Sequence, residues 1–150
     1  MKRLLPWLTV AVAAFVLAAC NSSNPNVLPT PGPTCSPGNI QTQLIYPAPG
    51  ATGIPDAFGQ VIVASSPSPL PTSWDVVVAT AISPSGVSGN TFQQATPPFP
   101  TPNATPSFSN PQYQSSTFSQ TFPGEVVTVF LNNTASTCTP VGPLGSFTTQ

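Results

Sequence analysis

"SWDVVVATAI", residues 73–82, decides how this chain folds. The run is dense in Val, Thr and Ile, and it is closed by "SPSG", residues 83–86, a cluster of turn-forming residues. It carries no apolar stripe at the 3.6-residue helical spacing, so it predicts a β-strand. Within that strand Trp74 is expected to face the core, and Asp75 beside it to face outward.

The same texture recurs on both sides. "QTQLIY" (41–46) and "GQVIVAS" (59–65) lie upstream, with "EVVTVFLNN" (125–133) and "GSFTT" (145–149) downstream. Weaker candidates are "NTFQQA" (90–95) and "SSTFSQTF" (115–122). About seven short strands with no helical pattern and frequent Pro and Gly between them imply an all-β fold, an antiparallel β-sandwich of immunoglobulin-like type. A small barrel is the alternative closure. The stretch 83–114, with "ATPPFPTPNATPSFSNPQY" inside it, is too rich in proline for ordinary central strands, so its topology stays open.

Two segments resemble a known family. "YPAPGATGIP", residues 46–55, is similar to the opening of bacterial Ig-like domains, which often carry Pro-x-x-Gly-Ala-Thr-Gly-hydrophobic-Pro between their first two strands. "GSFTT" resembles their final strand. The resemblance covers the two ends of the domain, residues 40–150, and leaves the middle unmatched.

Upstream of that domain the composition changes twice. Lys2 and Arg3 precede an apolar run, residues 4–19, broken only by Thr9 and bearing Pro6. This has the shape of a secretory signal: it is shorter than the roughly 20 apolar residues of a spanning helix and has no positive stop-transfer cluster behind it. An uncleaved anchor is the other reading. Leu17-Ala18-Ala19-Cys20 resembles the lipobox of bacterial lipoproteins, and all four positions agree. The resemblance implies a signal peptide over 1–19, lipidation of Cys20, and a mature chain beginning there. No other cofactor is expected. Several acyl chains together give a stable anchor, whereas one short chain holds only reversibly. The chain would therefore be exported and held in a bacterial cell envelope. Residues 20–39, rich in Pro, Ser and Asn, read as a tether, either a semi-rigid polyproline-like spacer or a disordered one.

Charge then excludes whole classes of function. Lys2 and Arg3 are the only basic residues, there is no histidine, and the acids are Asp56, Asp75 and Glu125. A mature chain without a cation cannot neutralise phosphates, so nucleic acid is excluded as a partner. A basic patch cannot hold it to an anionic membrane either, and the lipid must be the anchor. The usual catalytic bases and activated nucleophiles are missing, and no phosphate loop or metal motif is present, so no enzyme is expected. Asp56 and Glu125 read as turn residues.

With Cys20 lipidated, Cys35 and Cys138 remain as the possible disulfide in an exported chain. In an immunoglobulin-like sandwich the start of the first strand and the loop between the last two share a pole, so the pairing suits the resemblance. Free thiols, or a redox or metal site, are the rival, with no CxxC spacing to support them. The opposite pole would then carry the 46–55 segment, either a binding loop or simply a turn. Two roles are open: a structural or protein-interaction domain of the envelope, or a carbohydrate-binding module. The second would use aromatic faces such as Tyr46, Trp74, Phe99, Phe108 and Tyr113 among neutral Ser, Thr, Asn and Gln, unless those rings are needed inside.

Overall fold

The computed structural model describes residues 32–150; the expected signal peptide (1–19), Cys20 and most of the expected tether (20–39) lie outside the described residues. Eight strands run in chain order: β1 (Gln41–Tyr46), β2 (Gln60–Ser66), β3 (Trp74–Ala79), β4 (Val87–Ser88), β5 (Gln93–Gln94), β6 (Gln112–Thr117), β7 (Val126–Asn133) and β8 (Val141–Thr148). They form two four-stranded sheets, ordered β1-β2-β6-β5 and β4-β3-β7-β8, and every strand pair is antiparallel. The molecule is a β-sandwich, with no helix among the described residues.

Alternation along the strands builds the core between the sheets. Leu44, Val61 and Val63 from one sheet meet Trp74, Val76, Val78, Val127, Val129, Leu131 and Phe147 from the other. Trp74 points inward, 4% exposed, as the sequence implied. One pole is plugged by aromatics from the loops: the Phe58 ring meets Phe147 edge-on at 5.0 Å and stacks on Phe122 at 5.7 Å. Phe122 lies beyond β6, not in it, since that strand occupies 112–117 where the sequence suggested 115–122. The proline-rich middle supplies only edges before it reaches β6. The short strand β4 had no sequence signal, and β5 is equally brief.

The remaining strand edges are closed by chain that is not itself strand. Residues 50–54 leave the first sheet and lie parallel to β8: Gly50 N donates to Ser146 O at 2.7 Å, and Thr148 N to Ala51 O at 2.8 Å. Ile54 N then donates to Thr148 O at 3.2 Å. Gly50, at φ 80°, makes the corner that only glycine takes without strain. Residues 50–54 are therefore a strap between the sheets and not a free loop. At the other end of β8, Cys35 N donates to Thr139 O at 2.8 Å and Thr139 N to Pro33 O at 3.0 Å. Cys35 is bonded to Cys138 there, with Cα atoms 5.0 Å apart. The segment ahead of β1 is thus fastened to the β7–β8 turn. Between these two covers β8 carries Pro143, which offers no N–H to an incoming strand.

Candidate functional site

β2 is buried on both faces, and only its ends are partly exposed. The inner face is the core; the outer face, Ile62 and Ala64, needs a second cover. That cover is the long connection between β5 and β6, residues 95–111, the most proline-rich part of the described chain. Connections of this length are uncommon in compact domains and usually functional or disordered. Here it is ordered by named bonds.

The connection leaves β5 at Ala95, whose N–H donates to Tyr113 O at 2.9 Å, and crosses the outer face to the free edge of β1. There Ala48 N donates to Pro102 O at 3.0 Å and Ala104 N to Ile45 O at 2.8 Å. Ile45 is free to take part because a bulge in β1, between Leu44 and Tyr46, sets it outside the regular pairing with β2. The connection then runs back along β1. Gln43 holds it twice over: its Oε1 accepts from Ser107 N at 2.8 Å and Ser107 Oγ at 3.0 Å, while its Nε2 donates to Thr105 O at 3.0 Å. Ser66 Oγ donates to Ser109 O at 2.9 Å before the chain enters β6.

Four of the five aromatics singled out in the sequence meet under and beside this cover. Tyr46 packs with Ile45, Ile62 and Ala64, and Phe99, Phe108 and Tyr113 pack against them. Tyr46 is 6% exposed, and burial pushes its phenol pKa up. Trp74 is not among them; it is in the core between the sheets. The partly exposed ring of Tyr113 meets Phe99 edge-on, centroids 4.8 Å apart.

Tyr113 also stands between two clefts. One, of about 190 Å³, is lined by Pro69, Gln94, Gln112 and Gln114 along with the tyrosine. The other, of about 320 Å³, is an open cleft formed by the cover itself, at Pro98, Phe99, Asn103 and Thr105, together with Tyr113. Gln94 and Gln112 are exposed and carry neutral amides to the cleft wall. Gln114 is committed elsewhere: its Oε1 accepts from Leu70 N at 2.7 Å and its Nε2 donates to Leu70 O at 3.1 Å. Asn103 Nδ2 donates to Pro100 O at 3.0 Å, which braces the bend of the cover. The glutamines and Asn103 were missed in the sequence because a neutral amide has no local signature.

The acids lie apart from these clefts. Asp56 Oδ1 accepts from Ala57 N at 2.8 Å, a local turn bond, and the backbone of Glu125 is tied to the end of the chain, its N–H donating to Thr149 Oγ1 at 2.9 Å. Asp75 is on the outer face of the other sheet opposite Asn132, and though outward it is only 8% exposed. Desolvation holds its carboxyl pKa above the ordinary value, with Asn132 and Ser88 pulling the other way. Beyond it on that face is an apolar groove of about 280 Å³ formed by Val77, Phe130, Pro84, Gly86 and Pro140. No group of acids, histidines or cysteines suited to a metal occurs among the described residues. The chain matches no protein family, and neither a curated protein nor a solved structure matches it.

Proposed function

We propose that this is an exported, lipid-anchored lipoprotein of a bacterial cell envelope, whose immunoglobulin-like sandwich is non-catalytic and serves a structural or protein-interaction role. The observation that carries the reading is the Cys35–Cys138 disulfide, which fastens the chain arriving from the Leu17–Cys20 lipobox to the β7–β8 turn. A disulfide suits an exported chain. A bond at that pole also transmits force from an anchor directly into the sandwich. The immunoglobulin-like assignment is supported by strand order: lettered A, B, C, C′, D, E, F and G along the chain, the sheets read A-B-E-D and C′-C-F-G. The lipid at Cys20 is the one covalent group the reading requires. Cys20→Ser is expected to abolish incorporation of labelled palmitate and to release the protein from the membrane fraction. Unchanged anchoring in that variant would overturn the reading.

A second role is favoured by one specific observation. Tyr113 presents a partly exposed ring between two clefts without a charged side chain in their walls, the smaller one lined by the neutral amides of Gln94, Gln112 and Gln114. An aromatic face with uncharged hydrogen-bonding groups around it suits a sugar, whose C–H face packs on the ring while its hydroxyls meet the amides. In this reading the anchored domain is a carbohydrate-binding module for envelope polysaccharide. Retention of the protein on an envelope polysaccharide fraction, lost in Tyr113→Ala, is the expected result. Retention only on an envelope protein fraction would leave the interaction role alone.

A further inference from the structure

We infer that the two clefts beside Tyr113 are adjoining subsites for one uncharged glycan chain, and that Gln43 sets the second subsite by holding the 95–111 cover in place. The inference rests on the carbohydrate reading above and deepens it by naming the ligand class and the positioning residue. Tyr113 is common to both clefts, so a linear chain seated in one continues past the ring into the other. Their volumes, about 190 and 320 Å³, are each at or below the lower end of ordinary ligand pockets, which fits short stretches of a chain better than one compact ligand.

Charge selects the class. The chain has no histidine, and its two basic residues, Lys2 and Arg3, both lie in the first three positions. An acidic glycan would therefore find no counter-charge anywhere in the sandwich, and its carboxylates would lose hydration without compensation. A neutral glycan loses only hydroxyl hydration, which amides such as Gln94 and Gln112 replace.

The two subsites differ in how they are built. The smaller one is walled by strand residues and Pro69, so the sheet itself holds it. The larger one depends on the cover, because Pro98, Phe99, Asn103 and Thr105 all belong to it. A proline-rich chain has no ladder of its own to fix its position. Gln43 does so through three hydrogen bonds to Thr105 and Ser107, from a side chain in β1 and outside both clefts. It is a positioning residue and need not touch the glycan.

Affinity electrophoresis of the full chain tests this, with neutral soluble polymers (hydroxyethylcellulose, galactomannan, arabinoxylan) and the acidic polymer polygalacturonate cast in separate gels. At least one neutral polymer is expected to retard the protein and polygalacturonate not to. Tyr113→Phe should keep the retardation and Tyr113→Ala lose it. Gln43→Leu should weaken binding about tenfold, with Gln43→Glu between it and the parent because it keeps the acceptor for Ser107. Thermal unfolding of each variant separates a displaced cover from a lost fold. Normal retardation of a folded Gln43→Leu overturns the subsite inference while the carbohydrate reading stands. Retardation by polygalacturonate alone overturns the choice of ligand class. Absence of retardation in every gel, or retardation indifferent to Tyr113→Ala, overturns the carbohydrate reading and this inference with it.

Discussion

Asp75 shows what a single residue does when it has no partner of opposite charge. It occupies an outward position in β3, yet its Oδ1 is buried with no hydrogen-bond partner among the described residues. Burial disfavours the ionised form, and the folded-state pKa is raised above the ordinary 3.8. Where the folded pKa is the higher one, the stabilising contribution is complete below the unfolded pKa and is lost as pH rises through the folded value. Asp75→Asn is therefore expected to raise the unfolding midpoint at pH 7 and to change it little at pH 3, as read by circular dichroism at the two pH values. Gln114 is the converse, a part-buried amide fully used on both atoms of the Leu70 backbone. Gln114→Leu leaves that N–H and C=O unpaired and should cost about 1–3 kcal/mol in a urea titration.

Among the elements, the disulfide and the 95–111 cover act on the sandwich in different ways. Cys35 and Cys138 are 103 residues apart, so their bond closes a loop that contains nearly the whole domain. In the chain-entropy account a loop of that size contributes about 4–5 kcal/mol. The double variant Cys35→Ser/Cys138→Ser should lose stability of that order, and reductant should move the parent's denaturation midpoint but not the variant's. The cover acts by burial. Replacing residues 97–109 with a Gly-Ser linker uncovers Ile45, Tyr46 and Ile62, at about 1.5–3 kcal/mol for each isoleucine returned to water. It also frees the edge of β1, which Ala104 and Pro102 occupy in the native fold. Dye binding to exposed apolar surface and self-association on gel filtration are the expected readouts, with the disulfide still formed.

The molecule as a whole is held together almost without charge. Three carboxylates and no cation remain beyond residue 3, so the sandwich has no ion pair to make among its side chains. Its stability rests on burial, the ladders, the edge covers and one disulfide. Added sodium chloride up to about 0.3 M, which shortens the screening length to well under 10 Å, should shift the thermal midpoint by no more than about 2 °C at neutral pH. A larger shift would mean that the few charges matter more than their burial and spacing suggest.

The sequence by itself determined the all-β class and the inward Trp74; it favoured a sandwich over a barrel, and it pointed to the pairing of Cys35 with Cys138 only once the lipobox resemblance had set Cys20 aside. Strand propensity and turn residues are local, and they mark β1, β2 and β7 to within a residue, whereas β3 starts where expected but stops at Ala79, three residues before 82. β8 was only half legible: its first four residues include Gly142 and Pro143, which read as loop. Tertiary structure alone decided where the proline-rich middle goes. Gln43 binds Ser107 across 64 positions, and Gln114 binds Leu70 across 44; no periodicity within a window can encode such meetings. The same holds for the gathering of Tyr46, Phe99, Phe108 and Tyr113 on one sheet face and for the burial of Asp75 on the other. An outward strand position is exposed only if nothing folds over it, and what folds over it is set by contacts distant in the chain.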